Sequence, residues 1–394
     1  MRIQFYALLI ATILCVSCQR SSKPSEVWPT KAWLYSSAEE QGMDGTLLAS
    51  LDRKISNGDY GYVDHMLVIR NGYIVYDQSY LHDYEQISTG YDTTSSMYNY
   101  YDPEWHPFYN RTKLHSLQSV TKSVTSALFG IAFRRHELPG IKSEVIPYFS
   151  DFEIRNMDDL KRQISLEDLL TMRAGFDWEE NIYAYTDPRN NCAQMEKSSD
   201  WVQYVLDRPM AGKPGKVFVY NSGASQLLSH LMKKFTGLHV DEYAEKHLFS
   251  PLGISEFYWK RTPSQLPDTE GGLYLTPHNL AKIGYLYLRK GVWDGKKIIP
   301  KEWIDLSLKP YTKDTAPESD AWNMGYGYQW WLLPHGESYA YTMLGYGGQR
   351  LIASPEADLL AVFTGWNIFN REPLPVNVIV DSILNAVTDN SKHR

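Results

Sequence analysis

The sequence predicts an α/β fold: one sheet built from both ends of the chain, flanked by helices and interrupted by an inserted helical region. Three observations point there. β-rich runs surround Asn71-Gly72 near the start and recur between 339 and 364 near the end. Residues 140–276 are instead mainly helical and loop-like in pattern. The 394 residues are 43% hydrophobic and 22% charged, enough apolar material for one large or two medium cores.

In chain order, residues 1–18 read as a targeting segment. Met1-Arg2 supplies a short positive start, and the apolar run over 5–16 is too short to span a membrane comfortably. Residues 19–31 read as a polar tether. An amphipathic helix is expected over 43–55, with Leu47, Leu48, Leu51 and Ile55 on one side. The runs 66–70 and 73–76 around Asn71-Gly72 predict a hairpin. Residues 82–110 are polar, tyrosine-rich and aperiodic, and are expected to form a long loop. Helices follow at about 118–135, at 164–173 behind a serine cap, and at 199–206, 225–235 and 240–248. A further helix starts behind Thr276 with Pro277 in its first position. Strands are expected over 339–344, 349–353 and 359–364, and a last helix over 376–387. One domain then covers 32–390, with its helical subdomain at roughly 140–276.

The formal net charge is −7 and there is no Lys/Arg run, which disfavours a nucleic-acid partner. No His-x-His or His-Glu-x-x-His pattern supplies ligands for a metallo-hydrolase, so neither metal nor other cofactor is expected. Of three cysteines, Cys15 and Cys18 fall in the targeting segment. Cys192 is left without a disulfide partner, in a stretch that reads as a polar loop.

The chemistry is placed at Ser119-Val120-Thr121-Lys122. With a helix starting near Ser119, Lys122 lies one turn on along the same face, so the two side chains can meet. A lysine can take the serine proton where desolvation or nearby positive charge lowers its pKa. A Ser-x-x-Lys pattern arises by chance about once in a chain this long, so the motif needs company. Two further blocks provide it: Tyr220-Asn221-Ser222-Gly223, and Leu344-Gly345-Tyr346-Gly347-Gly348-Gln349 between two expected strands.

These three blocks, in this order, resemble the serine β-lactamase and penicillin-binding transpeptidase superfamily, in its class C-like branch of esterases, D-aminopeptidases and 6-aminohexanoate-dimer hydrolases. The resemblance implies a β-lactamase/transpeptidase-like fold with an antiparallel sheet. It implies Ser119 as nucleophile, Lys122 as proton acceptor, Tyr220 as the tyrosine that helps activate the serine, and the N–H groups of Ser119 and Gln349 as oxyanion hole. Gly347 and Gly348 would let a substrate edge approach the strand backbone. Ser222, Tyr346, Trp331 and Asp177 are expected around the substrate. The end of the targeting segment, Val16-Ser17-Cys18, resembles a bacterial lipobox, which would make Cys18 the lipidated first residue, although Cys15 stands where leucine is usual.

Two departures bear on substrate. Ser222 stands where class C β-lactamases carry Asn, and Tyr346 where they carry Lys, removing the cation that would hold a β-lactam carboxylate. The expected protein is therefore an exported, lipid-anchored serine hydrolase of small amides, esters or peptides, or a secreted one. A weak β-lactamase or DD-peptidase, and a sensor that does not turn over, are the alternatives.

Overall fold

The computed structural model describes residues 27–91, 107–315, 323–335, 338–368 and 373–388. The targeting segment with Cys18, most of the tether and residues 92–106 of the expected long loop lie outside them. The framework is an eight-stranded sheet of β1 (Leu34–Tyr35), β2 (Val63–Arg70), β3 (Tyr73–Ser79), β4 (Gly325–Tyr326), β5 (Trp331–His335), β6 (Ser338–Gly345), β7 (Gln349–Ser354) and β8 (Leu359–Gly365). Their order across the sheet is β1-β3-β2-β8-β7-β6-β5-β4. The two chain ends meet where β2 pairs antiparallel with β8, Val68 opposite Ala361. β1 alone runs parallel to its neighbour. The β2–β3 turn is the expected Asn71-Gly72, with φ of 53° and 85°, the left-handed pair that this two-residue hairpin requires.

Strand periodicity divides the apolar residues between two cores. Along β8, Leu360 and Val362 enter one core, while Leu359, Ala361 and Phe363 enter the other. Five of the helices are α1 (Gly45–Ser56), α2 (Val120–Arg134), α3 (Ser222–Thr236), α4 (Pro277–Leu288) and α5 (Val376–Leu384). The first core takes residues of α2, α3, α4 and the helical region; the second takes residues of α1 and α5. Sequence chemistry starts these helices. Asp44, Asn221 and Thr276 accept from Thr46, Ala224 and Asn279 N–H at the heads of α1, α3 and α4. Ser165 and Asp168 form a reciprocal capping box before the helix Leu166–Leu170.

Three expectations change. Cys192 lies in a helix, Asn191–Lys197, and is buried; Asn190, which looked like loop material, is its N-cap. The expected loop after 82 begins with a short helix, Tyr84–Ser88, capped by Asp83. β5 went unforeseen because Pro334 interrupts its pattern; this proline pairs with Tyr339, one pair from the connected end of the β5–β6 ladder.

Close packing of α2 can be tested at Gly130, where a Cβ would stand 2.4 Å from the fully buried Trp303 indole. Gly130→Val is expected to destabilise the fold by about 2–3 kcal/mol through overpacking. The helix-propensity gain of about 0.4 kcal/mol is too small to offset it. A lower urea midpoint at unchanged m-value is the expected reading.

Candidate active site

The residue before the expected nucleophile is strained. Gln118 adopts φ 48°, a left-handed conformation, and its amide donates to Ser116 Oγ at 2.9 Å. This turn ends the short strand His115–Ser116 and sets Ser119 at the N-terminal boundary of α2. The same strand pairs with Leu273–Leu275, and Leu117 N–H donates to Leu273 O at 2.9 Å. That ribbon brings Glu270, three residues upstream, beneath the first turn of α2.

Lys122 is 2% exposed. Its Nζ lies 2.9 Å from Ser119 Oγ, 2.7 Å from the Glu270 carbonyl oxygen and 3.4 Å from Glu270 Oε2. It also stands 5.2 Å from the centre of the Tyr220 ring. Tyr220 is buried just before α3, its ring stacked on Trp331 at 5.7 Å and 26°. Gln329 ties the two helices together: its carbonyl accepts from Ser123 Oγ and its amide oxygen from Ser225 Oγ. Ser119, Lys122, Tyr220 and Trp331 thus converge as expected.

The electrostatics differ from expectation. Burial alone would lower the Lys122 pKa, but the neighbouring acidic groups Tyr220, Glu270 and Glu180 outweigh it and raise the pKa above the ordinary lysine value. Lys122 is held as an ammonium. Burial pushes the Tyr220 phenol up, offset in part by the adjacent Lys122 and by hydrogen bonds with Ser119 and Lys122. The Lys122 ammonium thus favours loss of the Tyr220 proton, and desolvation does not make the lysine basic. Behind it, burial raises the Cys192 thiol and the Glu196 carboxyl well above their ordinary values.

Other expected site residues stand elsewhere. Ser222 is fully buried, its Oγ donating to Glu180 Oε1 at 2.5 Å and its N–H to Oε2 at 2.7 Å. The shortness of the serine side chain suits this inward bond; it does not line an open pocket. Asp177 is paired with Arg208 at 3.1 Å, its side chain 59% exposed. Gln349 is 0% exposed, and its amide bonds Gly365 and Tyr346 backbone atoms, locking β7 to β8. Its N–H is consequently not open to an arriving ligand, whereas Tyr346 is 38% exposed on the turn. Gly347 and Gly348 take φ of 83° and 110°, which their lack of Cβ permits. Gly345 lies against Leu117, where a Cβ would stand 2.4 Å from the carbonyl oxygen, so this hairpin abuts the segment leading to Ser119. His115 is structural: buried, with Nε2 2.8 Å from Asp64.

Two carboxylates were missed. Glu180 also accepts from Trp178 Nε1 at 2.7 Å and Tyr185 hydroxyl at 3.0 Å. Tyr185 in turn packs on Tyr346, ring centres 5.1 Å apart. Glu180 and Glu270 sit in loop-like sequence, two residues after Trp178 and immediately before Gly271-Gly272. An acid beside that aromatic or that glycine pair was the only available signal.

The chain belongs to the Beta-lactamase family, whose model matches residues 60–387. Among curated proteins it is similar to the 6-aminohexanoate-dimer hydrolase of Paenarthrobacter ureafaciens, 22% identical over 271 residues, covering 63% of this chain and 65% of that protein. The matches span about half to two thirds of the length of such curated relatives. Two solved structures share the fold. One is a family VIII carboxylesterase, with TM-score 0.62 and 13% identity over 90% of this chain and 98% of that one. The other is a D-stereospecific amidohydrolase from Streptomyces sp., with TM-score 0.59 and 12% identity over 85% and 98%.

Ser222→Ala removes one hydrogen bond from a buried carboxyl group and should lower stability by about 1–3 kcal/mol. Denaturant unfolding should show the loss, while KM for any substrate changes little, as befits a residue away from the pocket. Glu270→Gln removes an anion that favours the Lys122 ammonium, so the pKa of the Lys122–Tyr220 pair falls. The pH–rate profile for modification of Ser119 by a fluorophosphonate should move to lower pH in this variant.

Proposed function

We propose that the protein is a serine hydrolase that cleaves small amides or esters, peptide-like ones included, through an acyl-enzyme on Ser119. The observation that carries this reading is the 2.9 Å contact between Ser119 Oγ and the buried Lys122 Nζ, with Tyr220 over the same ammonium. In the proposed reaction, Ser119 Oγ attacks the substrate carbonyl carbon as its proton passes to the Tyr220 oxygen, which has lost its own proton beside the Lys122 ammonium. The tetrahedral oxygen is held by the Ser119 N–H and by an N–H of the turn after Gly345. We place the second donor in the turn 346–348, of which Tyr346 is exposed, since Gln349 is fully buried. Collapse expels the amine or alcohol, which takes the proton back from Tyr220. Water then hydrolyses the ester on Ser119.

The names of the relatives, a dimer hydrolase, a carboxylesterase and an amidohydrolase, support the amide and ester range. Tyr346 and Trp331 offer aromatic surface where a β-lactamase has a cation, which favours substrates without a carboxylate at that end. Export with a lipid on Cys18 is proposed on the sequence pattern of residues 1–18 alone.

Intact-mass spectrometry after fluorophosphonate treatment, followed by a panel of short-chain esters, amides and D-Ala-D-Ala peptides, tests the proposal. One adduct per chain is expected, absent in Ser119→Ala and slowed at least a hundredfold in Lys122→Ala, with turnover on an ester or amide. Wild-type labelling in Lys122→Ala would overturn the mechanism. An adduct without turnover on the panel would replace hydrolysis by a sensor role, and turnover confined to the D-Ala-D-Ala peptides would make the protein a DD-peptidase.

A further inference from the structure

Away from Ser119, β2, β3 and the start of α4 bring His65, Asp77 and His278 together. His65 Nε2 is 2.8 Å from Asp77 Oδ1, and His278 Nε2 is 2.9 Å from Asp77 Oδ2. One ligand atom from each of the three lies within 4.8 Å of the others. All three line a cavity of about 580 Å³, whose walls also include Asp64, Tyr80, Phe108 and Thr276.

We propose that His65, Asp77 and His278 form a binding site for one divalent transition-metal ion, with zinc as the reference ion and the remaining coordination position facing the cavity. Four features carry this inference. Two imidazoles and a carboxylate are a ligand set suited to zinc, and three protein ligands with an open position is the arrangement of accessible zinc sites. Tetrahedral ligands at about 2.0–2.1 Å from zinc stand about 3.4 Å apart. The observed 2.8 and 2.9 Å contacts need to open by only about half an ångström. The supporting contacts are also in place: Ser79 Oγ is 2.9 Å from His65 Nδ1, where it can accept the proton that leaves Nε2 free to coordinate. The Tyr35 hydroxyl donates to Asp77 Oδ2 at 2.7 Å and orients the carboxylate. The ligand atoms are reachable, with side-chain exposures of 11%, 19% and 34% for His65, Asp77 and His278.

A bound ion would join β2 and β3 to α4, residues separated by 201 positions between Asp77 and His278. It would also present a Lewis acid to any small anion or carbonyl compound entering the cavity. The site is independent of the chemistry proposed at Ser119. The other grouping of possible ligands among the described residues, Cys192, Glu196 and Glu270, lies beside Lys122 and serves as the control.

The test uses the mature chain without a polyhistidine tag, stripped with chelator and titrated with zinc chloride by calorimetry, with cobalt(II) absorption as a second readout. One equivalent of zinc should bind, with a visible cobalt band in the intensity range of four- or five-coordinate sites. His65→Ala and His278→Ala should each weaken binding at least tenfold while keeping the far-ultraviolet circular dichroism of the parent. Cys192→Ala and the exposed His136→Ala should bind as the parent does. Absence of stoichiometric binding, binding unchanged in both His65→Ala and His278→Ala, or loss of binding in Cys192→Ala would each overturn the proposal.

Discussion

The structure turns on keeping one charged lysine out of water. A buried ammonium without partners would cost several kcal/mol and would neutralise instead. Lys122 stays charged because its surroundings supply anions and acceptors from distant parts of the chain: the Glu270 carbonyl and carboxylate, Tyr220, and Glu180 further off. Much of the local architecture serves that arrangement. The ribbon of His115–Ser116 and Leu273–Leu275 exists in a place that delivers Glu270 under α2. Asn221 caps α3 one residue after Tyr220, so the end of that helix fixes where the phenol sits. Such a cluster is a poor source of net stability, since desolvation offsets most of its attraction. What it does is hold the Lys122 ammonium 2.9 Å from Ser119 Oγ.

The sheet answers a second demand, that the wall of the site stay still. β6 and β7 are central strands, and Gln349 extends their bonding by clasping Gly365 on β8 through its side chain. The turn after Gly345 is therefore anchored on both sides while its middle, at Tyr346, remains exposed. Around the site the left-handed conformation is taken by Gln118, Met172 and Gln329 as well as by Gly347 and Gly348. A left-handed residue directly before Ser119 persists because β pairing on one side and α2 on the other over-determine it.

What the sequence made legible were features coded by neighbours in the chain. Asn71-Gly72 specifies its turn, Thr276-Pro277 its helix start, and Ser119 with Lys122 share a helix face through spacing alone. What it concealed depends on contacts between remote segments. Glu270 and Glu180 occupy loop-like stretches whose meaning comes from a ribbon and a buried serine supplied elsewhere. Ser222 was misplaced because a polar residue beside an expected catalytic tyrosine suggests a substrate contact, and no local pattern tells a ligand outside from a carboxyl group inside. The Lys122 pKa was reversed for the same reason: burial was foreseeable, its compensating anions were not. His65, Asp77 and His278 escaped notice because they share no linear motif.

The two missed carboxylates also connect the proton machinery to the pocket wall. Glu180 binds Ser222, Trp178 and Tyr185, and Tyr185 packs on the exposed Tyr346. Burial raises the Glu180 pKa while Lys122 opposes the rise, so its charge is sensitive to whatever alters Lys122. A ligand that displaces Tyr346 moves a ring in contact with a hydroxyl bound to that carboxyl group. The turn at Tyr346 and the Lys122–Tyr220 pair are thus joined through Tyr185 and Glu180. The inward Ser222 fits this chain of contacts: its Oγ is the one donor to Glu180 that a different side chain there would remove, since the Ser222 N–H would stay bound.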